Sequence, residues 1–168
     1  MERYALTGTP GTGKTTISAL LQNDLISLSD YYEEFSDGRA KDGEWVVNIK
    51  RLESSIESLE WEVAEGNFSH QLNIVDKVIV LRCDPAVLVN RLKERNYSNK
   101  KIRENLEAEA MGIIYSETVR NYGIENLIQV DTSKKTSKEC SIIIRDYINN
   151  NIKVEEEIDY LERILDWY

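Results

Sequence analysis

The chain opens with a short apolar run, Tyr4-Ala5-Leu6-Thr7, that stops at Gly8, and beyond Lys14 the positions Ile17, Leu20 and Leu21 recur at helical spacing. This predicts a strand, a glycine loop and a helix. Leu25 to Leu28 predicts a second strand, and the glycine-punctuated stretch from Ser36 to Gly43 reads as turn and as the most mobile part of the chain. Val46, Ile49, Leu52, Ile56 and Leu59 step at helical intervals, and Trp61 to Glu65 reads as a third strand ending at Gly66. Lys77-Val78-Ile79-Val80-Leu81 is β-branched and uninterrupted, as in a parallel strand covered on both faces. Asp84-Pro85 opens a helix, because the carboxylate accepts from a free first-turn N–H and the proline sits where no donor is needed. Ser98 caps a further helix carrying Ile102, Leu106, Ala110, Ile113 and Ile114, and Leu127 to Val130 is the last predicted strand, before Asp131. Thr136 and Glu139 form a capping box ahead of Ile143, Ile144, Tyr147 and Ile148. Val154, Ile158, Leu161, Leu165 and Tyr168 then draw an apolar stripe, which predicts a terminal helix packed on the core with Glu155-Glu156-Glu157 on its solvated side.

Strands that alternate with helices imply a parallel sheet wrapped by helices, so the fold class is α/β. In such sheets ligands bind at the carboxyl ends of the strands, where Gly8, Glu65, Asp84 and Asp131 would fall. The length of 168 residues argues for a single domain over 1–168. A net charge of −9 speaks against strong direct binding of nucleic acid and suits a basic partner. Cys83 and Cys140 have neither metal-ligand spacing nor disulfide-scaffold density, and with no apolar run of membrane-span or signal-peptide length the expected setting is the reducing cytoplasm.

Chemistry enters at Gly8-Thr9-Pro10-Gly11-Thr12-Gly13-Lys14-Thr15, which fits G-x-x-x-x-G-K-[ST] at every fixed position between a predicted strand and a predicted helix. This is a phosphate-binding loop. Its glycines let backbone N–H groups approach phosphate oxygens, and Lys14 is expected to bridge the β and γ phosphates of ATP. The Thr15 hydroxyl is the expected Mg²⁺ ligand, and Thr16 can reach a further phosphate oxygen. Kinases, ATPases and GTPases all share the loop, but no N-K-x-D motif for reading guanine follows an internal strand. Arg91 and Arg95 stand one helical turn apart; they either clamp phosphates or form a solvated face.

The loop together with Arg95-Asn96-Tyr97-Ser98-Asn99-Lys100-Lys101-Ile102 and Glu104-Asn105-Leu106-Glu107-Ala108-Glu109 resembles the adenylate kinase isoenzyme 6 family, its archaeal members above all, over essentially the whole chain. The resemblance implies a P-loop NTPase three-layer fold with a five-stranded parallel sheet, an acceptor-binding region at about 27–50 and a very short lid at about 94–104. It implies a Mg²⁺-dependent nucleoside monophosphate (NMP) kinase, ATP plus AMP or another NMP giving ADP plus a nucleoside diphosphate (NDP), with ATPase activity besides. It further implies a role in late maturation of the small ribosomal subunit and its 16S rRNA through a uS11-type ribosomal protein; the alternative is an assembly ATPase switch whose nucleotide state controls docking to that protein, with kinase activity residual or absent. The family's ATP contacts fall on Gly11, Gly13, Lys14, Thr15, Thr16 and Arg95, with Lys14, Arg91 and Arg95 as the catalytic cations. Asp30 and Arg39 would place the acceptor, and Thr15 with Glu65, through water, would hold the metal. The family contacts adenine near Asp131-Thr132-Ser133, mainly through backbone.

Three positions depart from the family pattern. The acid-x-His element appears as Glu65-Gly66-Asn67, and Asn67 cannot take a proton near neutral pH. An arginine expected soon after the acid of the acceptor region is replaced by Tyr31-Tyr32-Glu33-Glu34, leaving Arg39 as the substitute. Asn96 stands for the lid glycine, a mild change because Asn tolerates left-handed backbone. His70, the single histidine, either stands in for the missing one or is an ordinary surface-loop residue.

Overall fold

The computed structural model describes residues 1–167. The sheet is built from β1 (Tyr4–Gly8), β2 (Leu25–Ser27), β5 (Val63–Glu65), β6 (Lys77–Arg82) and β7 (Leu127–Asp131). Its spatial order is β2-β5-β1-β6-β7, and every pairing is parallel. The helices are α1 (Lys14–Ser18), α2 (Ile49–Ile56), α3 (Pro85–Glu94), α4 (Asn99–Ala110), α5 (Ile113–Tyr122) and α6 (Ser137–Asn150). A separate antiparallel hairpin, β3 (Ser36–Arg39) with β4 (Trp45–Val47), stands off the sheet. This is the α/β P-loop arrangement expected, with helices on both faces of a five-stranded parallel sheet.

The two faces separate residue by residue along the central strands. On one face Tyr4, Leu6, Ile79, Leu81, Ile128 and Val130 pack with Ile17 of α1 and with Cys140, Ile144 and Tyr147 of α6. On the other, Ala5, Val78, Val80 and Leu127 pack with Leu52 and Ile56 of α2, with α5 side chains at the margin. Successive residues of a strand point to opposite faces, so the stretch of a strand covered on both sides is apolar at every position, as Val78 to Leu81 of β6 are. A third cluster joins Leu88 and Leu92 of α3 to Ile102 and Leu106 of α4.

The predicted caps form as bonds. Asp84 accepts from the Ala86 N–H at 2.9 Å, Ser98 accepts from the Lys101 N–H at 3.2 Å, and Thr136 with Glu139 closes the reciprocal box ahead of α6. Four expectations need correction. The stretch read as turn from Ser36 to Gly43 contributes β3 and the hairpin tip, and Val46 belongs to β4 rather than to the helix that follows. Leu59 lies past the end of α2 and is exposed. Ile113 and Ile114 open α5, because Gly112 at φ 63 turns the chain between α4 and α5.

The fourth correction is the C-terminus. No α-helix carries the stripe of Val154, Ile158, Leu161 and Leu165; Tyr168, its last member, lies outside the described residues. Helix α6 ends at Asn151, which takes the left-handed conformation at φ 52, and an extended strap follows up to a 3₁₀ turn at Leu161–Trp167. Along the strap Val154, Glu156, Ile158 and Tyr160 are half-buried, while Glu155, Glu157 and Asp159 are exposed. Leu161 and Leu165 are exposed, so the stripe is not core packing. Glu156 is instead a fastening: it accepts from the Asp131 N–H at 3.0 Å and from Lys135 Nζ at 2.5 Å.

Candidate functional site

The phosphate loop runs from the end of β1 into α1, over the carboxyl edge of the sheet. Gly8 is required sterically: a Cβ there would lie 2.8 Å from the Leu81 carbonyl oxygen and 2.6 Å from Thr12 Oγ1. The Thr12 hydroxyl donates to the Thr9 carbonyl at 2.8 Å, drawing the loop into a tight turn. Lys14 is buried and folds back over the loop, its Nζ donating to the carbonyls of Gly8 at 2.7 Å and Thr9 at 3.0 Å. Burial brings its ammonium down to about 7, with Arg95 adding repulsion and the Glu65 and Glu109 carboxylates opposing the shift.

Beside Lys14, Thr15 Oγ1 donates to Glu65 Oε1 at 3.1 Å and Ser27 Oγ donates to Glu65 Oε2 at 3.1 Å. Glu65 ends β5, next to β1, so the parallel register carries the carboxylate to the start of α1. A hydroxyl and a carboxylate converging beside a phosphate loop form the hard-oxygen donor set that suits Mg²⁺, an ion that keeps several waters and takes few protein ligands. Thr15 and Glu65 therefore fit the metal expected of them.

Two cavities meet at this loop. The larger, about 490 Å³, lies between the loop and the α3 and β7 side, with Thr16, Arg91, Arg95 and Lys135 in its wall. The smaller, about 170 Å³, lies on the other side of the loop among Lys14, Thr15, Tyr32, Glu65, Asn67 and Arg95. Gly11 and Arg95 line both. Arg91 braces the larger cavity: its guanidinium donates to the Gly11 carbonyl at 3.3 Å, to Thr132 Oγ1 at 3.0 Å and to the Thr132 carbonyl at 3.0 Å. Arg95 caps α3 and makes no side-chain hydrogen bond or ion pair among the described residues. The two arginines, one turn apart, thus differ: one is held by the protein, the other faces the place where the cavities join.

The remaining candidates fall as follows. Arg39 lies on β3, donates to the Gly43 carbonyl and stacks 3.8 Å over Trp45; like the exposed Asp30, it is not in the wall of either cavity. Asn67 lines the smaller cavity. His70 does not, and neither is it on the surface. It is buried in the turn after β5, with Nδ1 2.8 Å from Thr7 Oγ1 and Nε2 2.9 Å from Glu117 Oε2. Burial lowers its pKa against the opposing pull of Glu117, so the ring is neutral near pH 7. Asn96 adopts φ 56, the left-handed geometry of the glycine it replaces. The lid and hairpin segments touch through the ion pair of Lys101 with Glu44.

One set of partners in the site was not visible in the sequence, although the motif of the resemblance includes Glu109. Glu109, near the end of α4, accepts from Thr9 Oγ1 of the phosphate loop at 2.6 Å, from Arg82 Nε at 2.9 Å and from the Cys83 N–H at 2.9 Å. Arg82 is completed by Gln129 Oε1 at 2.7 Å and by the Glu109 carbonyl at 3.0 Å. At the same sheet edge Asp84 receives Arg163 from the C-terminal turn, at 3.0 and 2.6 Å. An arginine closing an apolar strand and a glutamate on a lid-following helix were the only signals, and neither announces its partner.

Residues 5–112 match a family described as "AAA domain". A "Putative adenylate kinase" of Pyrococcus abyssi is 42% identical over 156 residues, 89% of this chain and 85% of that protein. One of Methanocaldococcus jannaschii is 30% identical over 176 residues, 98% of this chain and 96% of its own. The chain belongs to this archaeal adenylate kinase family. Among solved structures, a shikimate kinase from Acinetobacter baumannii in complex with shikimate superposes with a TM-score of 0.61, covering 90% of this chain and 94% of that one. At 15% identity that likeness concerns the fold alone. Among the described residues of this family member, no helix is long and apolar enough to cross a membrane.

Proposed function

We propose that the protein is a nucleoside monophosphate kinase, transferring the γ-phosphoryl group of ATP to AMP or another NMP to give ADP and an NDP. The observation that carries this is the pair of cavities meeting at Gly11 and Arg95, with Lys14 in the wall of the smaller: an ATPase needs one nucleotide cavity, whereas a kinase needs a second opening onto the γ-phosphate. ATP occupies the larger cavity, with Gly11, Gly13 and Thr16 about its phosphates and Thr132 beside the base, and its γ-phosphate reaches Lys14 and Thr15 where the cavities join. The acceptor occupies the smaller one. An oxygen of its phosphate forms a bond to the γ-phosphorus as the bond from that phosphorus to the bridging oxygen breaks, and ADP leaves. Lys14 and Arg95 stabilise the charge on the transferring group, and Arg91 holds the loop in register with β7. Thr15 and Glu65 would hold Mg²⁺, which would supply charge neutralisation to the transferring phosphates. Positioning and charge suffice for this chemistry, so the lack of a strong base at Asn67 is no obstacle.

The whole chain works as one domain in this reading, with the segment 27–50 framing the acceptor and the segment 94–104 closing as lid. Asp30 and Arg39 are assigned to acceptor placement, for which Arg39 leaves the Gly43 carbonyl and Trp45 while the Glu44 to Lys101 pair keeps hairpin and lid joined. ATPase activity is weak, because Asn67 cannot serve as a base and His70 is engaged away from the cavity. The net charge of −9 supports a basic partner in a cytoplasmic setting, the uS11-type protein of the small ribosomal subunit. Incubation with ATP, Mg²⁺ and each NMP tests the kinase: NDP should form only with an acceptor, and Lys14→Ala should abolish it. Capture of the uS11-type protein that does not depend on ATP would remove the assembly-switch role.

A further inference from the structure

Tyr32 follows the 3₁₀ turn Leu28–Tyr31, and its ring packs against Phe68 with centroids 5.7 Å apart. Its hydroxyl oxygen is buried and has no hydrogen-bond partner among the described residues. The backbone N–H groups of Asn67 and Phe68 face that oxygen, and as donors they give the phenol O–H no acceptor. The phenol rests on Gly66, where a Cβ would come within 2.9 Å of the hydroxyl, so the glycine of the Glu65-Gly66-Asn67 element is what makes room for it. Gly66 and Tyr32 both line the smaller cavity, and from the segment 27–50 only Ser29 and Tyr32 reach its wall.

A buried hydroxyl without a partner costs free energy that a ligand oxygen can recover. The groups around it say which ligand. Lys14 and Arg95 supply positive charge and Ser29 supplies a hydroxyl, which together suit a phosphate. Burial and the Glu65 carboxylate both hold the phenol in its neutral form, which has a proton to donate.

We propose that Tyr32 is an acceptor-binding residue, its phenol O–H donating to a phosphate oxygen of the nucleoside monophosphate in the cavity between Lys14, Glu65 and Arg95. The inference rests on the kinase reading and names the group that holds the acceptor where the family's arginine is missing. It also sets a property of this chain. Acceptor binding depends on a neutral hydrogen bond and is less sensitive to salt than an arginine contact would be.

The test is Tyr32→Phe, which keeps the ring on Phe68 and removes only the hydroxyl. NMP binding is titrated calorimetrically in the presence of Mg²⁺ and a non-hydrolysable ATP analogue, and NDP formation is followed in parallel. The dissociation constant and KM for the NMP should rise about tenfold or more, as for a lost hydrogen bond to a charged group. Binding of the ATP analogue and the melting temperature should stay unchanged. Unchanged NMP affinity in Tyr32→Phe overturns the proposal, as does equal weakening of both nucleotides. If the wild-type protein binds NMP yet forms no NDP, the kinase reading fails while the affinity ratio still decides Tyr32; if it binds no NMP, both fall.

Discussion

The carboxylate of Glu109 accepts a hydrogen bond from the Thr9 hydroxyl at 2.6 Å, tying the helix that follows the lid to the phosphate loop. The same carboxylate pairs with Arg82, and both side chains are 3% exposed. Two charges so deeply placed are tolerable only together, since removing either leaves the other buried and uncompensated. Glu109→Ala should therefore cost about 3 to 5 kcal/mol in urea unfolding. A loss below about 1 kcal/mol, the range of an exposed pair, would mean that the network is not what fixes the loop.

Lys14 gives a pH dependence whose sign follows from its surroundings. In the free site burial brings its pKa to about 7, and the charge of a bound triphosphate must raise it. Binding of ATP then takes up a proton above that pH, and affinity is full below about 7 and declines as pH rises. Titration calorimetry at pH 8, in two buffers of different ionisation enthalpy, should show net proton uptake in the wild type and none in Lys14→Met. Equal proton linkage in the two proteins would contradict it.

His70 bears on stability rather than on binding. Its folded-state pKa lies below the ordinary value, so the unfolded chain takes up a proton first as pH falls through about 6.5. That contribution to stability is present above this pH and is lost below it. Wild-type stability should fall more steeply than that of His70→Gln between neutral pH and moderately acid pH. Parallel curves would place the imidazole in contact with water, against its burial between Thr7 and Glu117.

How much of this was legible depended on whether the physics was local. The central strands could be read because a doubly covered strand has no polar position to spare, and α3, α4 and α6 could be read because their caps lie within three residues of the bonds they make. The strap failed for a specific reason. Val154 and Ile158 are four apart, a step that serves a helix and an extended chain equally, and the residue between them that turns inward is the charged Glu156. The hairpin failed because Ser36-Asp37-Gly38-Arg39 shows no alternating apolar side. In the site, Lys14, Thr15, Glu65 and Arg95 were found from motif and resemblance and do converge. The Arg82 to Glu109 pair was not, since its partners are 27 residues apart and two charged residues in a sequence read as solvated until the fold buries them.

Phosphorus NMR of the purified protein with ATP, AMP and Mg²⁺ tests phosphoryl transfer between the two nucleotides. ATP and AMP should decline together, the β-phosphate and α-phosphate signals of ADP should grow at twice the rate at which ATP is lost, and inorganic phosphate should stay near its starting level. Loss of ATP matched by inorganic phosphate, with AMP unchanged, would contradict it.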